Sequence, residues 1–321
     1  MIQKVITNPK VKIVFMSRRF SLSLFLLGLL TLVGCQSNEI VSRPIPYPAN
    51  LITHTRGETA VPINPERVVA LDNIALDSVL SLGVKPIAAL IDQSTGEFPV
   101  HLRDQITDMT EKLSPNQPNL ERIVQLQPDL IIGGKNVESV YNQLNQIAPT
   151  ILLEQGSSSD WKKGFLLTAE AVGKLNQGET LLENYNKRVD QLRSRLNNPG
   201  EIEVSVIRIF PQGLRLYQND SFIGGILKDI GLSRPATQNE NNLWVNISRE
   251  RLQAADGDVI FVWKLGEEAQ HNLAQLKKDP LWSKLNAVQA EKVYEVPPYW
   301  IGSGLIAANK VLNDLATYLL D

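Results

Sequence analysis

Apolar residues recur along this 321-residue chain with two spacings, one of a strand and one of a helix, which alternate from Arg67 onward. RVVALD (67–72) is a short β-branched run ending in polar residues. NIALDSVLSLG (73–83) then spaces Ile74, Leu76, Val79, Leu80 and Leu82 as a helix does, with Gly83 as its stop. KPIAALI (85–91) predicts a second strand. NLERIVQLQ (119–127) puts Leu120, Ile123, Val124 and Leu126 on one helix face that Pro128 ends, and DLIIGG (129–134) reads as a buried strand. A helix over 137–147 and a strand over 149–154 complete a first half.

Residues 161–196 break this rhythm. Trp161, Phe165, Ala169, Val172 and Leu175, then Leu182, Tyr185, Val189, Leu192 and Leu196, lie nearly all three or four apart. The spacing predicts one long amphipathic helix, or two in line, weakened at Gly173 and Gly178 and ended by Asn197-Asn198-Pro199-Gly200. The alternation then restarts with strands at 203–210, 214–217, 258–263 and 292–296. Helices are predicted at 221–231, 248–254, 272–278 and 304–320. The pattern is that of an α/β protein with two mostly parallel sheets joined by a helix, and a cleft between such halves is a common ligand site.

The N-terminus is of another kind. The first 34 residues carry Lys4, Lys10, Lys12, Arg18 and Arg19 and no acid, and SLSLFLLGLLTLVG follows the basic pair. This is the pattern of an export signal, too short for the ~20 residues of a membrane-spanning helix. Met16 offers an alternative start. Leu32-Val33-Gly34-Cys35 resembles the bacterial lipobox, which implies a diacylglyceryl group on Cys35 and cleavage just before it. Gln36 is not the acidic residue that marks inner-membrane retention in some enteric bacteria. Residues 36–65, rich in Asn, Ser, Thr and Pro, are expected to form a flexible tether.

Composition narrows the chemistry. With 32 basic and 34 acidic residues the chain lacks the basic excess of a nucleic-acid binder. Cys35 is the only cysteine, so no intrachain disulfide forms, and three scattered histidines make a poor metal site. There is no Gly-x-Ser-x-Gly, His-Glu-x-x-His, phosphate loop or dinucleotide fingerprint, which leaves little for catalysis.

Aromatic and cationic residues instead gather at strand ends and loops: Lys135 after DLIIGG, Trp244 in the polar loop ENNLWVN, Trp263 ending DVIFVW, and Tyr299 and Trp300 in VPPYWIGSG. Carboxyl ends of parallel strands face the ligand crevice, where tryptophan gives a platform and Arg or Lys a counter-charge. Trp161 and Trp282 suit packing. Trp244 and Trp300 suit a ligand, and Trp263 suits either. Arg208, inside VSVIRIF, needs an anionic partner from its own lobe or from a ligand. Lys135 and Arg215 also suit plain solvation.

From about Pro65 to Leu320 the chain resembles the iron-siderophore substrate-binding proteins of ABC importers, which share a fold with the cobalamin-binding ones. The resemblance rests on PERVVALD with LGVKPIA, PNLERIVQLQPDLII, LNQIAPTILL, RLYQNDSFIGGILKDIGLSRP, ISRERLQAADGDVIFV and DPLWSKLNAVQAEKVYEVP with YWIGSG, in family order. It implies two Rossmann-like lobes joined by one long rigid helix, with ligand between them and small hinge motion. It also implies that Glu121 and Glu250 dock on permease arginines, although either could be an ordinary helix-start carboxylate.

The expected organisation is a signal peptide at 1–34, lipidated Cys35 and tether at 35–65, an N-terminal lobe at 66–160, a linking helix at 161–198 and a C-terminal lobe at 199–321. The expected function is capture of a ferric siderophore or ferric dicitrate outside the cytoplasm by a lipid-anchored monomer. Iron would be held by the chelator alone, with no resident cofactor or catalytic residue. A negative chelate would need Arg208 or Lys135 as counter-charge, and a neutral hydroxamate would lean on the tryptophans. Cobalamin, haem held through Tyr299, and a tethered hydrolase are the alternatives.

Overall fold

In a computed structural model, residues 48–320 are described apart from 94, 107, 116, 117, 155–157, 211, 212 and 265. The expected signal peptide and Cys35 lie outside the described residues. The first described element corrects the expected tether: β1 (Ala49–His54) and β2 (Gly57–Pro62) pair as an antiparallel hairpin that fully buries Ile52 and Val61. His54 docks it. Its Nδ1 accepts from the backbone N–H of Arg56 and of Leu152, both at 3.3 Å, so Nε2 carries the proton toward Thr59 Oγ1 at 2.8 Å.

The N-terminal lobe runs β3 (Val68–Leu71), α1 (Asn73–Ser81), β4 (Ala88–Leu90), β5 (Glu111–Leu113), α2 (Leu120–Leu126), β6 (Leu130–Gly133), α3 (Tyr141–Ile147) and β7 (Thr150–Leu152). Its sheet is wholly parallel, in the order β5-β4-β3-β6-β7. β3, β6 and β7 are buried along their whole length, as their unbroken apolar runs require. Asp72 caps α1 by accepting from the N–H of Ile74 and Ala75, and Asn119 caps α2 through that of Arg122.

The linking segment is two helices, α4 (Trp161–Ala171) and α5 (Leu175–Arg195). They are not in line. A straight helix would set Trp161 and Tyr185 about 36 Å apart, yet their rings meet edge-on at 5.3 Å. The chain doubles back at Gly173, whose φ of +69° favours glycine and where a Cβ would lie 2.2 Å from the Ile63 carbonyl oxygen. α5 alone, about 31 Å long, joins the lobes. Near its start Lys174 reaches the Leu82 carbonyl, and near its end Arg193 reaches that of Ile230.

The C-terminal lobe runs β8 (Val204–Phe210), β9 (Gly213–Tyr217), α6 (Phe222–Ile230), β10 (Trp244–Ile247), β11 (Val259–Trp263), α7 (Gly266–Leu276), α8 (Asn286–Gln289), β12 (Val293–Val296) and α9 (Leu305–Leu320). The sheet order is β10-β9-β8-β11-β12, with β8, β11 and β12 parallel and β9 and β10 antiparallel to their neighbours. Two expectations are corrected here. The ENNLWVN loop supplies an edge strand, and the helix expected at 248–254 is an irregular 3₁₀ stretch, Arg249–Ala255, broken at Arg251.

The lobes share one apolar core, which runs from β3 and α1 through α4, α5 and α6 to α9. A buried carboxylate crosses between them. Asp77 on α1 accepts from the N–H of Ile306 at 2.9 Å and Ala307 at 3.1 Å, capping α9 across 229 positions. Gly304, next to that helix start, has φ of +132°, and any Cβ there would fall 2.3 Å from the Asp77 carboxyl carbon. Asp229 on α6 accepts from Lys162 Nζ at 2.7 Å and from the Tyr185 hydroxyl at 2.9 Å, tying α4 and α5 to the second lobe. Among the described residues no helix is long and apolar enough to cross a membrane.

Asp77→Ala strands one buried and one partly buried N–H group and should cost about 2–4 kcal/mol; denaturant unfolding checks this, and a loss under about 0.5 kcal/mol would remove the cap from the account. Burial, and then Arg56, lower the His54 pKa below 6.5. The unfolded chain therefore takes up the proton first, so this stability is full above about pH 6.5 and declines as pH falls below it. His54→Asn keeps an acceptor near the Nδ1 position without titrating. It should narrow the difference in melting temperature between roughly pH 7.5 and pH 5.5.

Candidate functional site

The alternation along β8 puts Val204, Val206, Arg208 and Phe210 on one face of the second sheet and Ser205, Ile207 and Ile209 on the other. Strand register then sets a row across that sheet. Asn246 on β10 pairs with Arg215 on β9, Arg215 with Arg208 on β8, and Arg208 with Trp263 on β11. The row lies near the carboxyl ends of β8 and β11, where a parallel sheet opens onto its crevice.

Two cations directly opposite on neighbouring antiparallel strands repel. Here aromatic faces take part of that cost. The Arg208 guanidinium lies 4.1 Å from the Trp263 ring centre and 4.6 Å from that of Phe210. Arg215 lies 4.5 Å from Trp244 and 5.0 Å from Phe210. Arg215 Nε donates to Asn246 Oδ1 at 3.1 Å, which orients its fork. The buried Tyr217 hydroxyl stands beside both guanidiniums, which offset part of the rise that burial imposes on its pKa. Burial in turn lowers the Arg208 pKa, against the pull of Tyr217 and, across the cleft, of Asp92. Among the described residues neither arginine is in an ion pair.

Opposite this wall, Asn73, Asp92, Phe98 and His101 of the first lobe face Trp263 and the 298–303 segment across a space that opens to solvent. A second hollow, lined by Arg208, Arg215, Tyr217 and Trp244, shares Ile301 with it. Among the described residues no group of three or more His, Cys, Asp or Glu could hold a metal ion.

Of the expected ligand residues, the fold brings Arg208, Trp244 and Trp263 together, with Trp244 43 % exposed on the edge strand and Trp263 buried in the wall. Trp300 is a correction. It is fully buried, 4.3 Å from Phe261, and its indole N–H donates to Asp314 at 2.8 Å, so it is a core residue. Tyr299 donates to the same oxygen, also at 2.8 Å, and burial and Asp314 push its phenol pKa up, away from a phenolate ligand. Lys135 is exposed in the turn after β6 and is not among the residues lining either hollow.

Arg215, Tyr217, Phe210 and Asp92 complete the site beyond the expected set. The hairpin signal was present for the first of these: pairing Phe210 with Gly213 sets Arg215 opposite Arg208. Glu121 and Glu250 are exposed in the first turns of α2 and of the 3₁₀ stretch Arg249–Ala255. The Ser248 hydroxyl and Glu250's own backbone N–H hold the Glu250 carboxylate below its usual pKa.

A family model described as periplasmic binding protein matches residues 68–300. The probable siderophore-binding lipoprotein YfiY of Bacillus subtilis is 32% identical over 316 residues, covering 93% of this chain and 97% of the relative. The Fe(3+)-citrate-binding protein YfmC of the same organism is 28% identical over 280 residues, covering 85% and 87%. The structure of Staphylococcus aureus SirA complexed with staphyloferrin B is similar with a TM-score of 0.75 at 26% identity, over 84% of this chain and 98% of that one.

Proposed function

The chain belongs to the periplasmic binding protein family, and we propose that it captures a ferric siderophore, or ferric dicitrate, between its lobes and delivers it to the permease of an ABC importer. It is a substrate-binding protein and not an enzyme, as its family and relatives are. The observation that carries the proposal is the cleft itself, open between two lobes on a shared core, with a wall of arginines stacked on aromatic rings. Iron is the cargo and arrives coordinated by its chelator, which suits a wall built of cations and rings rather than of metal ligands.

The resting state needs no bond-making chemistry. Stacking on Trp244 and Trp263 and charge from the arginines supply affinity, and the lobes close by small movements about α5. Glu121 and Glu250, one on each lobe, are the docking carboxylates. Both are exposed and outside any ion pair among the described residues, so a basic partner meets them unpaired. Cys35 is the lipid anchor, which holds a monomer on the extracytoplasmic side of a membrane.

Tryptophan fluorescence of the purified chain, titrated with ferric citrate, ferric hydroxamates, ferric catecholates, cobalamin and haemin, tests the ligand. Submicromolar quenching by one ferric complex and none by its iron-free form is expected. A response to cobalamin or haemin alone would overturn the siderophore and citrate reading. Glu121→Arg combined with Glu250→Arg should leave that affinity within about twofold while abolishing uptake into cells; weaker binding in solution would count against a docking role.

A further inference from the structure

Resting on the ferric-chelate reading, the arginine row narrows the class of chelate. Arg208 and Arg215 stand directly opposite one another in the β8–β9 register, both half-buried, and among the described residues neither is in an ion pair. A fold gains nothing from such a pair: repulsion and desolvation both oppose it. The three rings around the two guanidiniums, Phe210 being shared, satisfy their faces and leave the edges, beside which the Tyr217 hydroxyl stands. Those edges are where a guanidinium donates two parallel hydrogen bonds to one carboxylate. Asn246 takes the Nε of Arg215 and so fixes which edge remains. From the first lobe, exposed Asp92 and Arg103 and the largely buried His101 line the facing wall, a set that leaves the cleft positive overall with Arg208 and Arg215 counted.

We propose that the site selects net-negative ferric chelates bearing carboxylates left free of the metal, with Arg208 and Arg215 as the two residues that hold them. Arg215 is then a specificity-determining residue, and Tyr217, between the two forks, is a positioning residue. A cationic or neutral trihydroxamate complex presents no such group and gives neither arginine a carboxylate. A tricatecholate is anionic, but its oxygens are spent on iron, so it meets the guanidiniums as charge without a matching fork.

The test is equilibrium titration of the full chain with ferric dicitrate, a ferric tricatecholate and a ferric trihydroxamate, for the natural sequence and for Arg208→Gln, Arg215→Gln and Arg208→Lys. Ferric dicitrate should bind tightest, and each glutamine variant should weaken it by about 10- to 100-fold while melting no lower than the natural chain, since a repulsion has been removed. Lysine should recover only part of the loss. Tighter binding of the trihydroxamate or tricatecholate, or unchanged affinity in both glutamine variants, overturns the carboxylate assignment but leaves ferric-chelate capture standing. Full recovery by lysine overturns the fork and assigns the site to charge alone. Silence toward every ferric complex in the natural chain removes the underlying reading as well.

Discussion

The carboxylate of Asp77 fixes how the two lobes face each other. Helix α9 begins just after a glycine and has no side chain of its own at that position to satisfy its first N–H groups. Asp77 supplies the acceptor from the other lobe, in a buried setting where an unmet donor is costly and where the helix dipole favours negative charge. The geometry tolerates little variation, because Gly304 admits no Cβ beside the carboxyl. His101, which lines the cleft, stands 3.8 Å from the same carboxylate. The cap therefore sits directly behind the ligand space.

Three connections then act in parallel. α5 spans the lobes, Asp77 staples α1 to α9, and Asp229 gathers Lys162 and Tyr185 onto α6. Arg188 on α5 further reaches Asn309 and Asn313 on α9. A cleft so braced allows its walls only small movements, and a preplaced wall meets a rigid partner without a large ordering cost.

The second sheet carries the opposite kind of constraint. Its β8–β9 pairing places two cations in opposition, and the surrounding rings relieve them only through their faces. The local rule for a stable sheet is broken at one row, next to the cleft, and departures of that kind concentrate at functional positions. The same register accounts for Trp244: its strand exists because β9 offers an edge, and the tryptophan is exposed because β10 is then the new edge.

Periodicity alone determined the α/β class, the strands from Val68 to Val296 that build both sheets apart from β5 and β10, the helices that begin close to Asn73 and Asn119, and the packing roles of Trp161 and Trp282, since each follows from neighbours within a turn or a pleat. The hairpin over 49–62 escaped because its short strands carry Asn, His and Thr, and its buried face is decided by β7, nearly a hundred residues on. The fold-back at Gly173 escaped because helical spacing continues on both sides of it and does not encode direction. Trp300 reads as a loop residue beside glycine and proline, yet Asp314 and Phe261 draw it inward. Arg215 in LRLY is an ordinary strand cation until register sets it against Arg208. Which side chains converge on the cleft was decided only by contacts between residues far apart in the chain, because burial and pairing are properties of the assembled core and not of any one segment.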